Sequence, residues 1–100
     1  MDHVAALRSL KSIFKDKETF IDTDLFLDKL AEKRLISVAE EMEFKKLSYA
    51  RQIDSAFFAL LQRNPKPTYE SVLEILEEMQ RNDLKERLLS FLGKPSSQHF

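Results

Sequence analysis

The feature that most restricts the fold is one strong helical repeat that runs into two prolines. The apolar residues of this repeat share one helix face, at Ala50, Ile53, Phe57, Leu60 and Leu61. The stretch NPKPT at 64–68 ends the helix, because Pro65 donates no amide and disfavours a helical conformation at Asn64. The pattern predicts an amphipathic helix that must bury its apolar face against other elements.

The same period elsewhere in the chain predicts five further helices. We expect the first at about 2–17, a second that begins at Asp22 or Thr23, a short third at roughly 38–46, and a fifth that is capped by Thr68. The inward-facing residues predicted for these helices and the sixth are Val4, Leu7, Leu10, Phe14, Phe26, Leu27, Leu30, Ala31, Val38, Met42, Val72, Leu73, Leu76, Met79, Leu84, Leu88, Phe91 and Leu92.

Polar residues mark the remaining helix ends. Ser37 stands three residues before Glu40, which is the capping-box spacing, and Ser48 is placed to cap the fourth helix. Asn82 should cap the sixth helix, and Gly93, the single glycine of the chain, should occupy the left-handed position just beyond its end.

No segment alternates with period two over a useful length, so a sheet is not expected. The short connections favour neighbouring helices that pack antiparallel. We therefore predict an all-α fold, a six-helix antiparallel bundle over residues 1–93. Residues 94–100, KPSSQHF, are expected to form a flexible tail or the start of a linker.

Composition argues against membrane insertion and nucleic-acid binding and favours a reducing cellular compartment. One hundred residues suffice for one domain, and no apolar run reaches the roughly 20 residues that cross a membrane. A net charge of −1 provides no general attraction for nucleic acid. The lack of cysteine suits a reducing compartment. We expect a cytoplasmic protein that binds neither nucleic acid nor membrane.

The sequence contains no recognisable catalytic constellation. His3 and His99 lie at opposite ends of the chain and are expected to be solvated. No glycine-rich loop is present to bind a phosphate, and Ser48 has no base near it in sequence. We predict that the protein is not an enzyme and has no catalytic residues, no cofactor and no metal site.

The charges are sorted along the chain. Residues 22–43 carry seven acids and three bases, residues 44–66 five bases and one acid, and residues 67–83 five acids and one base. Like charges repeated at helical spacing cost a few tenths of a kcal/mol each, so something outside each helix should offset them. Oppositely charged helices could pair within one molecule, for about 0–1 kcal/mol per exposed pair, or meet the opposite surface of another chain.

Two stretches resemble the caspase recruitment domain (CARD), a six-helix branch of the death-fold superfamily. They are FLDKLAEKRLIS at 26–37 and ARQIDSAFFALLQRNPKPTYESVLEILEEMQRNDLKERL at 50–88. The resemblance extends from about Val4 to Leu92 and lies in apolar spacing and helix order. Many family members have a glycine at the break after helix four, where this chain has NPKP. The stretch RNDL at 81–84 resembles the R-x-D-L motif of death effector domains, a sister family.

The resemblance implies homotypic binding in apoptotic or innate-immune signalling. In such domains a basic surface on helices one and four commonly meets an acidic surface on helices two and three. Here the basic surface consists of Arg8, Lys11, Lys15 and Arg51, and the acidic surface of Asp24, Asp28, Glu40 and Glu41. The implied partner is another CARD-containing protein (a caspase, sensor or adaptor) or a second copy, and head-to-tail contacts of this kind can extend into a helical oligomer.

Two alternatives remain open at this point. The first is a death effector domain-type adaptor, based on the RNDL motif. The second is a module that binds one amphipathic helix in an apolar groove, with Phe20, Phe44 and Phe58 as candidate lining residues. The ordinary explanation for these phenylalanines is peripheral core packing. Tyr49 and Tyr69 each follow a cap residue, which predicts exposed hydroxyls open to phosphorylation.

Overall fold

The computed structural model describes residues 1–93 and contains, within them, six α-helices and no strand. In chain order the helices are α1 (His3–Lys15), α2 (Thr23–Glu32), α3 (Val38–Phe44), α4 (Tyr49–Leu61), α5 (Pro65–Glu78) and α6 (Asn82–Gly93). The prediction of an all-α fold with six helices is confirmed. The tail predicted at 94–100, with His99, lies outside the described residues.

Side-chain caps fix the starts of α2 and α3. The Asp22 carboxylate accepts the amide of Leu25 at 3.1 Å, so Asp22 rather than Thr23 is the cap of α2. At α3 the Ser37 hydroxyl accepts the Glu40 amide at 3.0 Å, and the Glu40 carboxylate accepts the Ser37 amide at 2.9 Å. The predicted capping box is confirmed, and it holds Glu40 in place.

The start of α5 differs from the prediction. This helix begins at Pro65 with Asn64 as its cap, and Thr68 is buried inside it, so the assignment of Thr68 as the cap was wrong. Proline suits the first position of a helix because the amide it lacks has no partner there. Pro65 therefore ends α4 and opens α5 at once. The helix α6 begins at Asn82, which is its first residue and not its cap, and it includes Gly93 as its last residue instead of stopping before it.

The core is built around three buried aromatic rings on three helices. Phe14 of α1 lies 5.1 Å from Phe26 of α2 and 5.3 Å from Phe57 of α4, both in edge-to-face contact. Buried residues of every helix except α3, and of the loops on either side of α2, join this centre: Ala6, Leu7, Leu10, Ile13, Ile21, Leu27, Leu30, Leu35, Ile36, Ile53, Ala56, Leu60, Tyr69, Val72, Ile75, Leu76, Leu84 and Leu88. The helix α1 packs against α4, α5 and α6.

Four residues predicted to face inward are exposed, and one of them is Ala50 of α4. Val38 and Met42 of α3 are 65% and 63% exposed, and Phe91 of α6 is 59% exposed. The helix α3 has only seven residues, none of them fully buried, and is held by its cap, by its polar contacts and by Phe44, which is partly buried against the core. On α6 the inward line is Leu84 and Leu88, and Phe91 lies at its edge. These assignments were wrong.

The loop between α1 and α2 is tied to α6. Arg87 donates to the Thr19 hydroxyl at 2.7 Å and to the Asp16 carboxylate at 2.6 Å. Arg81 donates to the carbonyl of Phe20. The last described helix thus fixes the segment that leads into α2, and with it the start of the acidic surface.

Candidate interaction surfaces

The basic surface is formed by neighbouring turns of α1 and α4. Lys11 and Lys15 of α1 converge on the Asp54 carboxylate of α4, with Nζ–Oδ1 distances of 3.5 and 2.7 Å. Arg8 lies one turn before Lys11, and Arg51 lies one turn before Asp54, so both cations lie beside this ion pair. Arg8 and Arg51 are exposed and form no ion pair within residues 1–93.

Asp54 moderates the charge of this surface. A hydrogen bond from Lys15, with the charges of Lys15 and Lys11, lowers the pKa of Asp54, so its carboxylate stays ionised at neutral pH. Four cations and one carboxylate leave a net charge of +3. The sequence showed Asp54 as the one acid among residues 44–66, but gave no sign that it lies beneath two lysines of α1.

The acidic surface is joined by a lysine that the sequence did not place. Lys45 Nζ lies 2.5 Å from Asp28 Oδ1 of α2 and 3.0 Å from Glu41 Oε2 of α3. These contacts, with Asp28 first, raise the pKa of Lys45. Hydrogen bonding with the Glu41 side chain and with Lys45 lowers the pKa of Asp28. With Asp24 and Glu40, four carboxylates and one cation leave a net charge of −3.

Gln52 is a second polar residue that sequence reasoning missed. It is buried on α4, accepts the Thr23 hydroxyl, and donates to Asp24 Oδ1 and to the Lys45 carbonyl, each at 3.4 Å. Gln52 thereby connects α4 to α2 and to the segment after α3. The only available signal was a polar residue one position before Ile53 on a strongly apolar helix.

The basic and acidic surfaces do not neutralise each other within the subunit. None of the ion pairs in residues 1–93 joins a member of one surface to a member of the other. No Cα atom of α1 lies within 8 Å of a Cα atom of α2 or α3. Two of the three cations of the acidic stretch 22–43 are paired within the subunit: Lys33, at the end of α2, lies 3.3 Å from Glu74 and 3.2 Å from Glu78 of α5, and Lys29 lies 3.4 Å from Glu78. These two lysines are therefore matched by acids of α5 inside the subunit, whereas the basic and acidic surfaces are not matched by each other.

The three phenylalanines of the groove alternative have different environments. Phe44 is partly buried and packs against the core, and Phe58 is 69% exposed; both line an open groove of about 740 Å³ beside α4. Phe20 is 78% exposed, is not part of that groove, and stacks on Tyr49 with ring centroids 6.0 Å apart. Two of the three residues therefore share one site.

The expectation of exposed tyrosine hydroxyls was wrong. The Tyr49 hydroxyl donates to the Phe14 carbonyl at 3.0 Å. Tyr69 is only 4% exposed, and its hydroxyl has no hydrogen-bond partner within residues 1–93. His3 packs on the Tyr69 ring at 5.3 Å instead of extending into solvent. The Tyr69 ring therefore belongs to the buried core, and the partly buried Tyr49 ring packs against it.

Among residues 1–93 no group of three or more His, Cys, Asp or Glu side chains is placed to hold a metal ion. No helix in the described part of the chain has the length and apolar character of a membrane span.

No protein-family model matches the chain, nor does any curated protein or solved structure. The candidate site is the pair of oppositely charged surfaces.

Proposed function

We propose that this chain is a CARD-like, death-fold antiparallel bundle that binds related domains or further copies of itself in apoptotic or innate-immune signalling in the cytoplasm. The observation that supports this proposal is the unmatched charge: a basic surface of +3 and an acidic surface of −3 that form no ion pair with each other in one subunit. The function requires no catalytic residue, cofactor or metal.

The like charges of the basic surface repel one another, and the acidic surface of a second chain offsets this repulsion. Arg8, Lys11 and Lys15 are like charges at spacings of three and four, which disfavour the isolated helix by a few tenths of a kcal/mol each. Asp54 offsets part of that repulsion for Lys11 and Lys15. Arg8 and Arg51 have no such carboxylate in the described chain, and the acidic surface of another domain supplies it.

Such surfaces act mainly on recognition and rate. Complementary charges accelerate encounter and reject partners of the wrong sign more than they add affinity. A contact between two different surfaces of the same chain leaves one surface of each kind free at every step. The proposed assembly therefore grows head to tail, with each added copy presenting the same two surfaces as the first.

Arg51→Glu tests the proposal. Arg51 is exposed and forms no ion pair within residues 1–93, so reversing its charge should leave helicity and Tm unchanged while weakening association. Lys66→Glu is the matched control, because it changes net charge equally at an exposed position of α5 outside both surfaces. Light scattering against concentration measures self-association, and a panel of purified CARDs measures binding to others.

The expected result is loss of association in Arg51→Glu alone and weaker association of the wild type at high salt. Equal loss in both variants would assign the effect to net charge. A wild type that neither self-associates nor binds any domain of the panel contradicts the proposal.

The contacts of the RNDL motif favour the alternative of a death effector domain-type adaptor. The Arg81 guanidinium binds the Asp83 carboxylate through two atoms, at 3.0 and 3.1 Å, and also reaches the Phe20 carbonyl. The motif thus fixes the loop before α2. Binding to isolated death effector domains, in the same panel and in preference to CARDs, would favour this alternative.

The groove beside α4 favours a second candidate function, binding of one amphipathic helix. Phe44, Phe58 and Leu61 give it an apolar lining. This function predicts saturable one-to-one binding that is indifferent to salt, whereas head-to-tail assembly is salt-sensitive and not limited to two partners.

A further inference from the structure

Each charged surface has an exposed apolar centre beside it. Phe58 lies two turns after Arg51 on the same face of α4, about 10 Å along the helix. The charged residues that line its groove are Lys11, Asp54 and Arg63, with Glu40 of the acidic surface contributed by α3. On the other surface, the groove between α2 and α3 has an apolar lining of Leu25, Ala31 and Val38.

The charges around this second groove suit a partner with basic residues. Its charged lining residues are Asp28, Glu32 and Glu41 against Lys29. Lys29 is already engaged with Glu32 at 3.9 Å and with Glu78 of α5 at 3.4 Å. The groove volume is about 420 Å³, which is ample for a benzyl side chain. It is therefore an apolar groove with an acidic rim, open to solvent.

We infer that Phe58 of one copy inserts into the groove between α2 and α3 of the next copy, with Arg51 on the acidic rim. This inference rests on the proposed function and identifies the centre of its contact. Charge complementarity selects the occupant: the aromatic side chain that lies beside the +3 surface meets the apolar groove within the −3 surface. An aromatic anchor in a pocket with a charged rim is the arrangement in which a few residues provide most of the binding energy.

The inference accounts for two exposed residues that the core does not require. Phe58 is 69% exposed and Val38 is 65% exposed, although both are large apolar side chains. Neither residue is part of the buried core cluster. The contact removes both from water at once, and apolar burial of this kind is not screened by salt.

The test compares Phe58→Ala with Phe20→Ala, an equally exposed aromatic residue that lines neither groove. Phe58→Ala should weaken self-association at least tenfold and keep the Tm of the wild type. Phe20→Ala should have little effect on association and lower the Tm slightly, because it removes the stacking on Tyr49. Phe57→Ala, which empties a fully buried position next to Phe58, provides the contrast of a variant that unfolds.

A double-mutant cycle tests the partner groove. Val38→Ala should also weaken association, and the variant with both Val38→Ala and Phe58→Ala should be little weaker than Phe58→Ala alone, because the two side chains form one contact. Additive losses overturn the assignment of the groove. If Phe58→Ala behaves as Phe20→Ala does, the inference is overturned, and the proposed function survives provided that Arg51→Glu still weakens association. A wild type that binds other domains but does not self-associate also overturns the inference and leaves the proposed function standing.

Discussion

Lys15 Nζ lies 2.7 Å from Asp54 Oδ1, an ion pair that joins the last turn of α1 to the middle of α4. Lys11 approaches the same carboxylate from one turn earlier, at 3.5 Å. Asp54 thereby holds two members of the basic surface in register with Arg51, and it reduces the charge of that surface by one. Replacing Asp54 distinguishes its effect on stability from its effect on the charge of the basic surface.

Asp54→Asn should strengthen salt-dependent association while slightly lowering stability. The net charge of the basic surface rises from +3 to +4, which favours encounter with the acidic surface. Because the Asp54 side chain is 45% exposed, the free energy of unfolding should fall by no more than about 1 kcal/mol. Urea unfolding and light scattering at two salt concentrations measure these effects. Glu70→Gln removes one exposed acid from α5 and is the control; an equal gain in that variant contradicts the assignment.

The stabilising effect of Asp54 should disappear in acid. Its folded pKa is lowered by Lys15 and Lys11, so its stabilisation is fully present above the unfolded pKa of about 3.9 and is lost as the pH falls through the lower folded value. The difference in unfolding free energy between the wild type and Asp54→Asn should be constant above about pH 5 and shrink toward zero as the pH falls through the lowered folded pKa of Asp54. Urea midpoints along a pH series measure it, and a difference that grows in acid would falsify the ion-pair explanation.

Two serines in equivalent positions should respond differently to alanine. The Ser37 hydroxyl takes part in a capping box, whereas Ser48, the cap of α4, makes no side-chain capping hydrogen bond. We expect Ser37→Ala to lower the free energy of unfolding by about 1 kcal/mol and Ser48→Ala to change it by only a few tenths. Denaturant unfolding of both variants measures this. Equal losses would show that Ser48 caps α4 in solution.

Two tyrosines should respond in opposite directions to removal of the hydroxyl. Tyr69→Phe removes a buried hydroxyl that has no partner in the described chain, so stability should stay constant or rise by about 1 kcal/mol. Tyr49→Phe removes the hydrogen bond to the Phe14 carbonyl and should cost about 1 kcal/mol. Thermal unfolding of the two variants measures the contrast. A marked loss in Tyr69→Phe would indicate a bound water at that hydroxyl.

The helices could be predicted because local signals agreed. The repeat in α4 and the capping box at Ser37 each depend on residues within a few positions of one another. The inner face of α3 could not be predicted, since seven residues make too few turns to define one. Two helix ends were also hidden: Arg34 and Gln80 adopt left-handed conformations, with φ of 62° and 60°, where a sequence signal would normally be glycine.

The candidate surfaces were predictable only as sets of charges. Helical spacing places Arg8, Lys11 and Lys15 on one face of α1. It does not show that Asp54 of α4 forms ion pairs with Lys11 and Lys15. The same holds for Lys45, which is near neither Asp28 nor the end of α2 in sequence. Contacts between residues tens of positions apart follow from how the helices pack, and no periodicity within one helix records that packing.

The packing of α1 against α5 and α6 has a consequence for synthesis of the chain. Of the six described helices, α1 is made before α5 and α6, and Asp16 meets Arg87 only after α6 has emerged. We therefore expect α1 to pack against α4 first and to keep the part of its apolar side that faces α6 exposed until α6 has emerged, an interval in which a holding chaperone can bind.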